Sequence, residues 1–201
     1  MYIEHEHAYL RYSSVAGALL VAFMFFHSAV LDGVWRFGVS SISHLGISKN
    51  AAAAALFNAG CILSGVLFAV VGFLKVRTEK GQDCVAGLFL VIAAVFLALV
   101  GVVTLDVNDP VHCWVAATFG VTVFVAAIVT MVDDLRNRRW VFAVPIIFCV
   151  ILIVCFWTRS FAEMEVVAIA VGQVWIVLQA VRHRTVYEAK SGLGLLAPND
   201  A

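Results

Sequence analysis

Apolar residues run in six long stretches along this chain, and polar residues gather in the connectors between them. The stretches cover 13–31, 51–74, 85–105, 111–132, 140–157 and 164–181. Each has about 18 to 24 residues, enough at roughly 1.5 Å per residue to cross a hydrocarbon core about 30 Å thick. No water reaches that core, so each backbone N–H and C=O must be bonded within the protein, which predicts helices. The expected fold is all-α: a polytopic membrane bundle of six transmembrane helices in one domain, 1–190. The tail at 191–201 contains Gly and Pro and is predicted to be disordered. The first stretch begins close to the N-terminus, as a signal peptide would. His27 and Ala29 precede Val30 where a cleavage site wants small residues, so an uncleaved span is expected.

Composition sharpens this picture. Of 201 residues, 63% are hydrophobic and 13% charged, about half the charge density of a soluble domain. Little is left from which to build one. The net charge is zero, so nucleic acid is not an expected partner. Orientation follows from Lys and Arg in the connectors. Lys75, Arg77, Lys80, Arg136, Arg138, Arg139, Arg182, Arg184 and Lys190 fall on one side, against Arg36, Lys49 and Arg159 on the other. Nine against three places both termini in the cytoplasm of a multi-pass cell-membrane protein. Trp35, Trp114, Trp140 and Trp157 stand near predicted boundaries, as interface anchors do. The long connector, 32–50, lies on the outer side, and 39–47 within it is predicted to form a short interfacial helix.

Polar residues in the spans collect toward that outer side. His27 lies about one turn from the surface and Asn58 about two. Thr104 ends the third span, His112 and Cys113 open the fourth, and Gln173 lies deeper in the sixth. Asp32, Ser41, Ser43, His44, Asp106, Asn108 and Asp109 sit in the outer connectors. Polar groups in hydrocarbon are costly and face a partner or a wet cavity. The expectation is therefore an outward-opening polar pocket of His27, Asp32, Ser43, His44, Asn58, Thr104, Asp106, Asp109, His112 and Gln173. Within it, His27, His44, His112 and Asp106 or Asp109 offer nitrogen and oxygen ligands suited to zinc, whose bound water would hydrolyse an ester or amide. Against this, no HExxH is present, and each His has a plainer use in hydrogen bonding across helices. Haem held by His27 and His112 is disfavoured by their different depths. The inner halves of the spans hold almost nothing comparable.

Other features read as packing or surface. The five cysteines, Cys61, Cys84, Cys113, Cys149 and Cys155, lack a CxxC pair, and only Cys113 beside His112 is a ligand candidate. Gly60, Ser64, Gly65, Ala69 and Gly72 give the second span small faces for close helix approach. Pro145 is expected to kink the fifth span near its inner end. Glu4-His5-Glu6-His7 reads as a solvated, mobile N-terminus rather than a metal tract. Asp133-Asp134-Leu135-Arg136-Asn137-Arg138-Arg139 reads as a solvated cytoplasmic turn, with partner or anionic-lipid contact as the lesser reading.

Ile42-Ser43-His44-Leu45-Gly46, then Leu56-Phe57-Asn58-Ala59-Gly60 and Gly65, resemble a prokaryotic six-span family, domain of unknown function 998 (DUF 998). Gly101, Asp106, Asp109, His112 and Phe119 match the later part of its pattern, so the resemblance covers roughly 32–132. His44 departs from it, and a role for His44 is not implied. The family is allied to the DRAM, FGF-receptor-activating and GPI-remodelling membrane proteins. That alliance implies lipid handling or scaffolding of other membrane proteins and supplies no reaction. The leading expectation is a non-enzymatic lipid-binding or accessory subunit, with membrane lipids, other membrane proteins or a second copy as partners. The alternatives are a metal-dependent intramembrane hydrolase at the His/Asp pocket and a transporter. The transporter is disfavoured because no polar path is expected through the inner half.

Overall fold

The computed structural model describes residues 2–136, 143–158 and 160–192. Among them there is no strand. Helices α1 (Tyr2–Asp32), α2 (Ala51–Thr78), α3 (Gln82–Val102), α4 (Leu105–Arg136), α5 (Ala143–Thr158) and α6 (Phe161–Gly192) follow one another, with a short 3-10 helix, Ile42–Ile47, between α1 and α2. Five helices are long and apolar enough to cross a membrane: the Ala8–Asp32 part of α1, all of α2, α3 and α4, and the Phe161–Gln179 part of α6. The described part of α5 has 16 residues, short of the roughly 18 a span needs; the expected fifth stretch opens at Trp140, outside the described residues. Phe23, Phe26, Leu63, Phe73, Val95, Val121 and Ile153 stand exposed around the bundle. Apolar surface of that extent belongs against lipid, and the chain is a membrane-embedded protein.

Local chemistry sets the helix ends. Asn50 caps α2, its side chain accepting from Ala52 N at 3.1 Å, which satisfies one of the free first-turn donors. Gly81 (φ +63) makes the turn into α3 in a conformation that favours glycine. Within α4 the backbone leaves helical geometry at Asn108. The Asn108 side chain accepts from Val111 N at 3.1 Å, so the transmembrane part of α4 starts there, and Pro110 lies in its first turn where a missing N–H costs little. Pro145 likewise falls in the first turn of the described part of α5.

Packing is densest between α2 and α3, then between α1 and α2 and between α3 and α4. Lipid provides no hydrophobic drive for helix association, so close approach at small residues supplies the van der Waals energy. Gly60 meets Met24 of α1, whereas Gly65 and Gly72 meet α3, and a Cβ on Gly72 would come within 2.8 Å of the Gly87 carbonyl oxygen. That neighbour is backbone and cannot swing aside. Gly72→Ala is therefore expected to destabilise the protein by about 1–3 kcal/mol, read as an earlier unfolding midpoint in detergent. Gly33→Ala, where a Cβ meets nothing but φ is +71, tests strain without overpacking.

The central layer is apolar. Leu10, Phe68, Val71, Leu90, Leu97, Val123, Trp175 and Ile176 form a continuous buried cluster drawn from α1, α2, α3, α4 and α6. A second cluster seats the short helix: Ile42, Leu45 and Phe57 are buried together, flanked by Phe25, Trp35, Val166 and Ile169. The short helix touches α1, α2, α4 and α6, and so closes one end of the bundle. Trp35 is built into this seat, its ring edge-on to Phe25 at 5.3 Å and its Nε1 donating to the Ser41 carbonyl at 3.1 Å. Trp114 and Trp157 are exposed, at 75% and 79%, as lipid-interface residues would be.

The structure corrects four expectations. Glu4–His7 continues α1 as helix rather than trailing as a mobile terminus. Lys75, assigned above to a connector, is a residue of α2 that is 1% exposed. Asp134, assigned to a solvated turn, is 2% exposed. The end opposite the short helix also buries Thr130 and Gln179, so that half of the bundle is not poor in polar groups.

Candidate functional site

The polar residues of the short-helix end divide into those that build it and those that do not take part. Ser41 caps the short helix, its side chain accepting from Ser43 N at 3.2 Å. Beneath it stands Glu165, a carboxylate on α6. Glu165 Oε2 accepts from Ile42 N at 2.8 Å, and Oε1 accepts from Ser43 Oγ at 3.2 Å. One charged side chain thus satisfies two donors of an irregular segment lying against apolar helices. A charged acceptor strengthens such bonds to about 1.5–3 kcal/mol. Glu165 was not among the residues singled out from sequence. The available signal was an ionisable residue near the start of a span, which is rare without a partner or a role.

One more contact seats the connector at the start of α6. Ser160 Oγ donates to the Gly38 carbonyl at 2.8 Å and accepts from Glu163 N at 3.2 Å. Asp32 closes α1 onto the connector, accepting from Trp35 N at 2.7 Å and, through its other oxygen, from Ser48 Oγ. Asn58 on α2 donates through Nδ2 to the Gly46 carbonyl at 3.0 Å. Its Oδ1 lies where a side chain on residue 46 would stand, which accounts for the glycine. Asp32, Ser43 and Asn58 therefore act together in holding the short helix.

The histidines separate. His27 is exposed on α1, stacked on Phe23 at 3.9 Å, with Nδ1 donating to the Phe23 carbonyl at 2.8 Å. His44 points away from the core on the exposed side of the short helix. His112 is 3% exposed; its Nδ1 donates to the Val103 carbonyl at 2.6 Å. Asp106 is exposed and accepts from Thr104 Oγ1. Asp109 accepts from Cys113 Sγ at 3.4 Å, with Cys113 on the exposed side of α4 while His112 faces inward. Among the described residues no three His, Cys, Asp or Glu side chains come together as a metal site. The set His27, His44, His112 and Asp106 does not converge, because helical geometry turns His27 and His44 outward and inserts His112 against α3. The Cys113–His112 pair diverges for the same reason. Gln173 lies on α6 with Oε1 buried and no hydrogen-bond partner among the described residues.

A family model described as a protein of unknown function (DUF998) matches residues 15–182, well over half of the chain. The chain belongs to the DUF998 family. No curated protein and no solved structure matches it significantly. The part that matches the DUF998 model includes the seat of the short helix, from Asp32 to Asn58, and both Glu165 and His112.

The same part of this DUF998 chain contains a second polar cluster, at the opposite end of the bundle. Lys75 Nζ donates to Gln179 Oε1 at 3.0 Å and lies 3.6 Å from Asp83 Oδ1. The cluster ties α2, α3 and α6. Gly87 makes room for it, since a Cβ there would lie 2.8 Å from the Lys75 Cβ. Between the two polar ends lies the apolar layer of Phe68, Leu90, Val123 and Ile176.

Proposed function

We propose that this protein is a six-span lipid-binding or accessory subunit of a prokaryotic cell membrane, with both termini cytoplasmic and the short helix on the outer face. In this reading α5 also crosses the membrane, as the fifth of six spans. The observation that carries it is the use of the polar groups at the short-helix end: carboxylates and serines are spent holding backbone, and three buried acceptors, Asn58 Oδ1, His112 Nε2 and Gln173 Oε1, have no hydrogen-bond partner among the described residues. Such a site suits recognition of a polar head group better than catalysis, because its hydroxyl–carboxylate pair, Ser43 and Glu165, is spent on holding the short helix. With Lys75 removed from the connector count, the Lys/Arg bias is still eight against three, which supports the orientation. The alliance with the DRAM and GPI-remodelling proteins that the sequence resemblance implies would fit a lipid-handling role.

Lipid extraction and mass spectrometry of the protein purified in mild detergent test the reading. A lipid class enriched over the bulk membrane, or a co-purified membrane protein, is expected. A monodisperse monomer with bulk-like lipid would overturn it. Reporter fusions at residue 201 and in the 33–41 connector test the topology independently.

A further inference from the structure

Between α1 and the short helix the chain makes a well-bonded loop, 33–41, that turns apolar side chains outward. Gly33 and Gly38 take positive φ, +71 and +77, where glycine is favoured. Trp35 is seated against Phe25, and Gly38 lies beside α6, accepting from Ser160 and close to Glu163. The residues around them stand outward: Val34 is 77% exposed, Phe37 57% and Val39 78%. Arg36, the single charged residue from 33 to 41, is exposed among them.

Three observations say what covers this face. The first is continuity. Phe26, Val30 and Leu31 stand exposed on α1 immediately before the loop, and Val107 and Phe161 stand exposed where α4 and α6 begin at the same end. The loop therefore extends an apolar surface that already lies against lipid. The second is the backbone. A loop in water can leave its N–H groups to solvent, whereas one entering a bilayer must bond them within the protein. Of the seven N–H groups from Val34 to Ser40, five are bonded internally. Those of Val34 and Trp35 donate to the Asp32 carboxylate, that of Arg36 to Ser40 Oγ, and those of Val39 and Ser40 to the Arg36 carbonyl. The third is charge. A guanidinium fork matches a phosphate, and its long stem can lie along apolar surface while the head stays in the polar layer.

We propose that loop 33–41 is a wedge in the leaflet on its own side of the bundle. Val34, Phe37 and Val39 enter the boundary between head groups and acyl chains, and Arg36 binds the phosphate of an anionic phospholipid. This rests on the lipid-binding reading above and names its surface and its ligand group.

Phe37 is replaced by photoreactive p-benzoylphenylalanine in the full chain, which is reconstituted in vesicles of phosphatidylcholine and phosphatidylglycerol in equal parts. The same replacement at Phe26, on the exposed side of α1, sets the yield for full lipid contact. Intact mass after irradiation counts the lipid adducts. Position 37 is expected to give at least about half the yield of position 26, with phosphatidylglycerol captured about fivefold over phosphatidylcholine, the effect of one basic residue at an anionic surface. Arg36→Gln is expected to keep the yield and lose the enrichment. A lower yield at position 37 overturns the wedge and places the loop in water. Crosslinking of two protein chains through position 37 overturns it in favour of a second copy. Equal capture of the two lipids overturns the role of Arg36. In each of these cases lipid held elsewhere on the protein would still appear in the extraction described above, so the two readings fail separately. Should the Phe37 replacement fail to fold, Val39 carries the photoreactive residue and the same outcomes decide.

Discussion

Lys75→Met is expected to lower stability by about 3–5 kcal/mol, the cost of removing one partner from a buried ion pair. The side chain of Lys75 is 2% exposed and that of Asp83 13%, so water cannot replace the lost ammonium. Gln179 loses its donor at the same time. Methionine fills much of the same volume, which keeps the cavity term small and isolates the charge. The second change, Asp83→Asn, removes the carboxylate charge that faced Lys75, and the double variant is expected to recover part of the loss. Reversible unfolding in mixed micelles, followed by ellipticity, measures all three. A Lys75→Met midpoint within about 0.5 kcal/mol of wild type would show that the cluster contributes nothing to folding. Additive single and double losses would show that Lys75 and Asp83 do not act on each other.

Much of the helical layout could be read from the sequence because lipid imposes a severe rule. A spanning segment must be long, apolar and internally bonded, and the stretches containing Phe68, Leu90 and Val123 obey it without ambiguity. Small residues were also informative, since Gly65 and Gly72 matter through shape alone. The rule fails at the ends of spans. Lys75 follows Leu74 directly, and a hydropathy pattern cannot distinguish a lysine leaving the bilayer from one turned into the bundle. Its depth is decided by Gly87, two turns along a different helix, which opens the space for it. Asp134 was misplaced in the same way.

The site was legible as a region and not as an arrangement. Depth along each helix follows from counting residues, so Asn58, His112 and Ser43 could be assigned to one end from sequence. Azimuth does not follow, because in a helix that is apolar all round the sequence carries no face to orient it. His27 and His112 have opposite exposure for that reason. The metal reading assumed that shared depth meant convergence. Glu165 was overlooked because its partners, Ile42 N and Ser43 Oγ, lie more than a hundred residues away, and one of them is backbone.

Glu165→Gln is expected to loosen the short helix far more than it destabilises the bundle. The carboxylate gives one oxygen to Ile42 N and the other to Ser43 Oγ. An amide of the same shape can accept from Ile42 N through its oxygen and donate through its NH2 to Ser43 Oγ, so both contacts survive as neutral bonds. What is lost is the charge that strengthens the two bonds, at a cost of about 1–3 kcal/mol. The apolar seat of Ile42, Leu45 and Phe57 is separate from the central cluster, so the loss is spent on local opening rather than on global unfolding. Amide hydrogen exchange over 39–47 should accelerate about tenfold for each 1.4 kcal/mol lost, while amides in α3 keep their protection. Ser43→Ala removes one bond and leaves both oxygens as acceptors, so its effect should be smaller. Leu45→Ala opens the same segment through packing and calibrates the scale. Unchanged exchange in Glu165→Gln would mean that the apolar seat alone holds the short helix, and that the carboxylate on α6 serves something other than its closure.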